Sequence, residues 1–190
     1  MRKIISIITI SIITVLVAIL IFLTTAGIKT DNFNSLINEK VNEIDPKIKL
    51  KLNQVNFKLN PSNFEFEIFT LDPHLLVNEK KVDLEIIKSD YNLLDYLNNK
   101  NPISEISIIS KESNIDQFTD FINEYDFNLG RNLIFKQIKK GKVKIISNIN
   151  FNESNPKNTK YIINGYVKDA EIKLLNKSKI ENVKFNFQTN

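Results

Sequence analysis

The chain has no cysteine, no tryptophan and a single histidine among its 190 residues, and only four glycines and two arginines. Without cysteine there are no disulfides, no thiolate nucleophiles and no zinc–thiolate sites, and compartment is not legible from cysteine usage. One imidazole also excludes a histidine-rich metal cluster. Nucleophilic catalysis fails on the same inventory. No Gly-x-Ser-x-Gly is present, and the one imidazole base, His74, follows Asp72-Pro73 in what reads as an exposed turn. Gly141-Lys142 has no upstream glycine of a phosphate loop and reads as a turn entering a strand. Glu65 with Glu67, and Asp116 with Asp120, are pairs that acid–base chemistry could use. Both lie on the polar side of amphipathic segments, where solvated carboxylates belong. The expectation is therefore a non-enzyme with no catalytic residues, no metal site and no cofactor.

What is abundant is isoleucine (31), asparagine (27) and lysine (24), the bias that AT-rich codons produce, so Lys over Arg carries no message. With asparagine this frequent, the glycosylation-like triplets at Asn152 and Asn176 carry little weight. The formal net charge is +4. Residues 24–130 hold 11 basic and 18 acidic side chains and residues 131–190 hold 13 and 4, which sum to 24 against 22, a body near +2. That is too weak a field for a nucleic-acid binder. The basic C-terminal part fits either contact with anionic head groups or lysine bias on solvated strand faces, and the second is the simpler account.

The one long apolar run is Ile4 to Leu23, twenty residues without a charge. As a helix rising about 1.5 Å per residue it spans roughly 30 Å, the hydrocarbon thickness of a bilayer. Its β-branched residues do not make it a strand, because an isolated strand in lipid leaves its backbone polar groups unsatisfied. It exceeds the apolar core of a cleaved signal peptide, typically about 7–15 residues. Arg2 and Lys3 precede it, which places Met1 in the cytoplasm and the body outside. Residues 1–26 thus read as a single-pass inner-membrane anchor, with residues 27–190 in the periplasm.

The body alternates between two periods. Phe33, Leu36, Ile37, Val41 and Ile44 recur at helical spacing and predict a helix over 31–44, stopped by Asp45-Pro46. Period two follows in Ile48, Leu50 and Leu52, then Val55, Phe57 and Leu59, then Phe64, Phe66 and Ile68, which predicts a three-stranded antiparallel meander with one apolar face. Leu75–Val77 and Val82–Ile87 are further strands, and 89–99 reads as a helix capped by Ser89, with Tyr91, Leu94 and Leu97 on one side. Ile103–Ser110 is a strand. Ile115, Phe118, Phe121, Ile122 and Tyr125 mark a third helix over 114–125. Phe135–Lys140 then leads through Gly141 into Val143–Phe151, with Tyr161–Val167, Ala170–Leu175 and Ile180–Phe187 to follow. Asn128-Leu129-Gly130 and Asn152–Thr159 read as turn and loop. The fold class expected is α+β and β-dominated. One N-terminal transmembrane helix precedes a bent antiparallel sheet forming an open groove, with about three short amphipathic helices. Val183, Phe185 and Phe187 still alternate at the C-terminal end, where a finished domain usually protects its edge strand. The expectation is that the sheet continues, in a longer protein or in a partner.

This order of elements resembles the N-terminal region of the AsmA-like family of bacterial envelope proteins, within the bridge-like lipid transfer superfamily. The resemblance rests on Leu71-Asp72-Pro73-His74-Leu75-Leu76-Val77-Asn78 leading into Val82-Asp83-Leu84-Glu85-Ile86. Tyr91-Asn92-Leu93-Leu94-Asp95-Tyr96-Leu97 and Ile103-Ser104-Glu105-Ile106-Ser107-Ile108 come next, and Gly165–Leu174 with Ile180–Phe187 is similar to that family's repeated strand pairs. The resemblance implies an inner-membrane anchor, a chorein-like N-terminal cap and a β-groove that carries phospholipid towards the outer membrane. Leu50, Leu52, Val55, Phe57, Leu59, Phe64, Phe66, Ile68, Val183, Phe185 and Phe187 are then the lipid-facing candidates, with phospholipid acyl chains and an envelope protein as partners. The alternative from the residues alone is a single-anchor periplasmic scaffold or docking subunit with a closed β-core and no lipid.

Overall fold

The computed structural model describes residues 2–44, 46–78, 80–125, 137–151, 160–173 and 178–189. Helix α1 (Arg2–Thr25) has no buried residue and projects from the body, with only Leu23 and Thr24 half-covered near its end. It is long and apolar enough to cross a membrane. Its threonines fit an apolar surround. The hydroxyls of Thr9, Thr14 and Thr25 each donate to the carbonyl four residues back, at 2.9, 2.9 and 2.6 Å, which leaves no bare donor. The helix ends on Gly27, whose N–H and that of Ala26 both donate to the Phe22 carbonyl (3.0 and 2.9 Å). Gly27 has φ +67°, the left-handed conformation that closes helices and that glycine adopts without penalty.

The body is one antiparallel sheet. Its strands are β1 (Ile28–Thr30), β2 (Ile48–Lys51), β3 (Val55–Asn60), β4 (Glu65–Leu71), β5 (His74–Val77), β6 (Lys80–Asn92), β7 (Ile103–Ser110), β8 (Ser113–Asn114), β9 (Ile138–Asn150), β10 (Lys160–Lys173) and β11 (Lys179–Thr189). The main path runs β1-β3-β4-β6-β7-β9-β10-β11 and does not close. β2 and β5 branch from the first part of β6, and β8 pairs β9. Helices α2 (Asn34–Ile44), α3 (Leu93–Leu97) and α4 (Ile115–Tyr125) complete the described chain. The β-dominated open sheet with one apolar N-terminal helix is as expected, and so are the strand Ile103–Ser110 and helices close to 31–44 and 114–125.

Several local expectations are corrected. The meander does not begin at β2, which leaves β3 to pair with β5 (Ile48↔Val77 to Lys51↔His74). Asn53-Gln54 lacks the glycine of a two-residue hairpin. Instead Asn53 Nδ2 donates to the carbonyls of Leu71 and Asp72, both at 3.2 Å, and anchors a crossing segment. The helix over 89–99 shrinks to α3. Ser89 and Tyr91 are strand residues, paired with Ile68 and Phe66 on one side and Ile106 and Ile103 on the other. Two flanking strands satisfy that backbone, and a helix begun at Ser89 would forfeit those bonds. Asn92 is the actual cap, accepting from the Asp95 N–H at 3.0 Å. Ser89 Oγ instead donates to the Glu105 carbonyl at 2.9 Å.

Gly141 opens no turn: it lies inside β9 at φ +142°. There β10 bulges, pairing passing from Lys168↔Lys142 to Glu171↔Lys140, with Asp169 at φ +53°. A Cβ on Gly141 would sit 3.2 Å from Ala170 Cα and from the Lys168 carbonyl oxygen, so glycine admits the bulged backbone. Hence Tyr161–Val167 and Ala170 onward are one strand, bent but unbroken. Phe135, the stretches 128–130 and 152–159, and residues 174–177 lie outside the described residues.

Two buried clusters hold the body. Ile115 of α4 packs with Ile138, Val143, Val167 and Ala170, and Phe118, Ile145, Ile172, Val183, Phe185 and Phe187 lean on them. Val77, Val82 and Leu84 form the second, joined by Ile48, Leu75, Ile87 and Ile108.

Candidate functional site

Register fixes which side chains share a face, because directly paired residues point the same way. One row crosses seven strands: Ile28, Phe57, Ile68, Ser89, Ile106, Ile149 and Tyr161 are successive partners. The neighbouring row towards the strand ends near α1 contains Leu59, Phe66, Tyr91 and Ile103. The row on the other side runs Thr30, Val55, Thr70, Ile87, Ile108, Ser147, Ile163 and Thr189 across all eight strands. At about 4.8 Å between strands, six intervals make the first row roughly 29 Å wide.

Cover over this face is uneven. α4 lies against β5, β6, β8 and β9, α2 against β2, and α1 against β3. Among the described residues no helix packs along β4 or β7, the centre of the path. Phe57, Ile68, Ile106 and Ile149 accordingly stay half-buried, whereas Val143 and Val167 under α4 are 1% and 0% exposed. Phe33 covers one corner, edge-on to Phe57 with ring centroids 5.4 Å apart. The face is thus closed at the α4 end and uncovered in its central rows towards α1.

The proposed lipid-facing residues divide across this map. Phe57, Leu59, Phe66 and Ile68 lie in the uncovered rows. Val183, Phe185 and Phe187 lie on β11 against the α4 cluster. Leu50 and Val55 are buried, and Leu52, half-buried, follows β2 outside the rows. Phe64 is not on the face. It sits in the β3–β4 turn at φ +54° and is exposed. Ile106, Ile149 and Tyr161 join the face from strands whose alternation was plain but whose partners were not. Tyr91 was hidden by the helical reading of 89–99. Arg2 opens α1, with Lys3 beside it.

The opposite face is largely polar, as in the partners Lys58, Glu67 and Asp90, and Ser107 Oγ donates to Asn148 Oδ1 at 2.9 Å. Its charges tie strands together. Glu112, between β7 and β8, meets Lys168 at 2.6 Å and Lys142 at 3.7 Å and accepts from the Tyr166 hydroxyl at 2.9 Å. Hydrogen bonds from Lys168 and then Tyr166 hold its carboxyl below the usual range. His74 is not in a loop. It begins β5 opposite Asp83, with Nδ1 2.7 Å from Asp83 Oδ1. The Asp83 carboxyl is lowered first by its hydrogen bond from Lys81, against the opposing effect of burial, with His74 adding to the shift. Glu65 accepts from Asn63 and Asn92 at 3.2 and 3.1 Å. These contacts brace strands, and none of them pairs a base with a nucleophile. Among the described residues, no cluster of three His, Asp or Glu side chains stands ready for a metal.

No family model, no curated protein and no solved structure matches the chain.

Proposed function

We propose that this is a membrane-anchored envelope protein whose uncovered sheet face holds phospholipid acyl chains, in lipid transport or envelope biogenesis. α1 serves as the anchor in the inner membrane, with Arg2 and Lys3 on the cytoplasmic side and the body in the periplasm. The observation that supports this is the central row from Phe57 to Ile149, apolar but for Ser89, half-buried and without a helix along β4 or β7. Water meets that surface at a cost of about 25 cal/mol per Å² of apolar area, and an acyl chain removes the cost without any directional contact. The scaffold reading draws on the two buried clusters, which are what a closed core looks like; one lies beneath α4, and the other, beside β5, reaches Ile87 and Ile108 in the row next to Ser89 and Ile106 but does not include the Phe57 or Leu59 rows.

Photo-crosslinking tests this in the full chain in its own membrane. A benzophenone amino acid at Ile106, in the row, and another at Lys88, whose register places it on the opposite face, are irradiated and the products weighed by mass spectrometry. Phospholipid adducts at Ile106 and none at Lys88 are expected. Equal labelling at both, or none at Ile106, refutes the groove.

A further inference from the structure

From the direction of the strands we infer a second membrane contact: the end of the sheet nearest α1 docks on the bilayer surface through exposed apolar and aromatic side chains. This rests on α1 being a membrane anchor. β1 starts at Ile28 opposite Phe57 and runs away from α1 to Thr30 opposite Val55, so β3 runs back towards α1 and continues past it to Asn60. A Cβ on Gly27 would lie 3.5 Å from Lys58 Cα, which puts the helix end level with that residue. The β3–β4 turn begins three residues later, about 10 Å on. β6 reaches the same level at Asn92, opposite Glu65, and α3 follows directly. The Leu93 N–H donates to the Phe64 carbonyl at 3.1 Å, so turn and helix form one surface.

Among the exposed polar residues of that surface, such as Asn63, Asn98 and Lys100, stand large apolar side chains that water alone would not select. Phe64 is 58% exposed, Leu94 50%, Tyr96 59% and Leu97 72%. Ile28 and Tyr161, also exposed, end the Phe57–Ser89 row, three residues or about 10 Å behind that level. The remaining exposed large apolar side chains of the described body are dispersed, with Leu71 and Ile180 at the far strand ends. A concentration at one end, beside the exit of an apolar helix, matches the headgroup–acyl boundary of the same bilayer. There leucine and phenylalanine bury their surface, and tyrosine keeps its hydroxyl in the polar layer. Docked so, the uncovered rows open at the membrane.

Because the chain has no tryptophan, single substitutions report depth without background. Leu97→Trp, Ile180→Trp at the far end and Leu16→Trp within α1 are made in the full chain. Each is reconstituted in phosphatidylethanolamine–phosphatidylglycerol vesicles containing brominated phosphatidylcholine. Blue-shifted, quenched emission is expected for Leu97→Trp and Leu16→Trp, and unquenched emission for Ile180→Trp. If Leu16→Trp is quenched while Leu97→Trp matches Ile180→Trp, the docking surface is wrong and the anchor stands. If Ile180→Trp is quenched as strongly as Leu97→Trp, the end-on placement is wrong. If Leu16→Trp is unquenched, the anchor reading falls and this inference with it.

Discussion

A carboxylate placed at two positions on the same apolar face should have opposite consequences. Val167 is 0% exposed in the cluster beneath α4. Val167→Asp removes a fully buried side chain, worth roughly 1.5–3 kcal/mol, and forces an unpartnered carboxyl group into its place at a further cost of several kcal/mol. The sum exceeds about 5 kcal/mol, which equals the whole stability of many domains, so this variant should lose its folded baseline. Phe66 is half-buried between Leu59 and Tyr91 in an uncovered row. Phe66→Asp forfeits only part of that burial, on the order of 1–2 kcal/mol, and its charge stays hydrated. With a urea dependence of about 1–3 kcal/mol per molar, the midpoint should fall by roughly 0.3–2 M. The assay is urea unfolding of the full chain in micelles, followed by the near-ultraviolet tyrosine signal of the body. Phe66→Asp should fold and no longer retain phospholipid. If it unfolds as completely as Val167→Asp, the face is closed there and the groove is refuted.

Two further outcomes follow from local geometry. Gly27→Ala adopts a left-handed conformation costing about 1–2 kcal/mol and puts its Cβ 2.5 Å from the Phe57 carbonyl oxygen, a backbone atom with little freedom to retreat. β1 should leave β3, and protease cleavage between Thr25 and Thr30 should speed up several-fold; an unchanged rate contradicts this. Glu171, hydrogen-bonded by Lys179 (2.7 Å) and near Lys140 (3.6 Å), links β10 to both its neighbours, and the bond from Lys179 chiefly lowers its pKa. A carboxyl lowered on folding stabilises above its unfolded value, about 4.3, and that contribution disappears as pH falls through the lower folded value. Glu171→Gln should therefore flatten the fall in urea midpoint between about pH 5 and 3, and an unaltered slope would show that the contact carries no such linkage.

Much of this architecture was visible in residue order. The twenty-residue apolar run has no other low-energy state in lipid than a helix, and Ile115, Phe118, Phe121, Ile122 and Tyr125 keep an unmixed period of about 3.6. Legibility failed where two periods overlapped. Tyr91, Leu94 and Leu97 fit a helix by spacing, yet Tyr91 belongs to a strand because Phe66 and Ile103 flank it. Asp169 and Ala170 looked like a break, because a bulge interrupts alternation as a turn does. Phe64 fitted the alternation by count and was lost to the face by a left-handed turn.

By itself the sequence determined the long apolar N-terminal helix, the preponderance of strand and the absence of thiol and multi-histidine chemistry, since these depend on composition and on periodicities of a few residues. The tertiary structure alone decided that β2 pairs β5, that one largely apolar row crosses seven strands, and that α4 closes one end while the centre stays uncovered. Strand partners are chosen by hydrogen bonding and burial between segments far apart in the chain. Local alternation shows that a strand has an apolar side and is silent on what, if anything, lies against it.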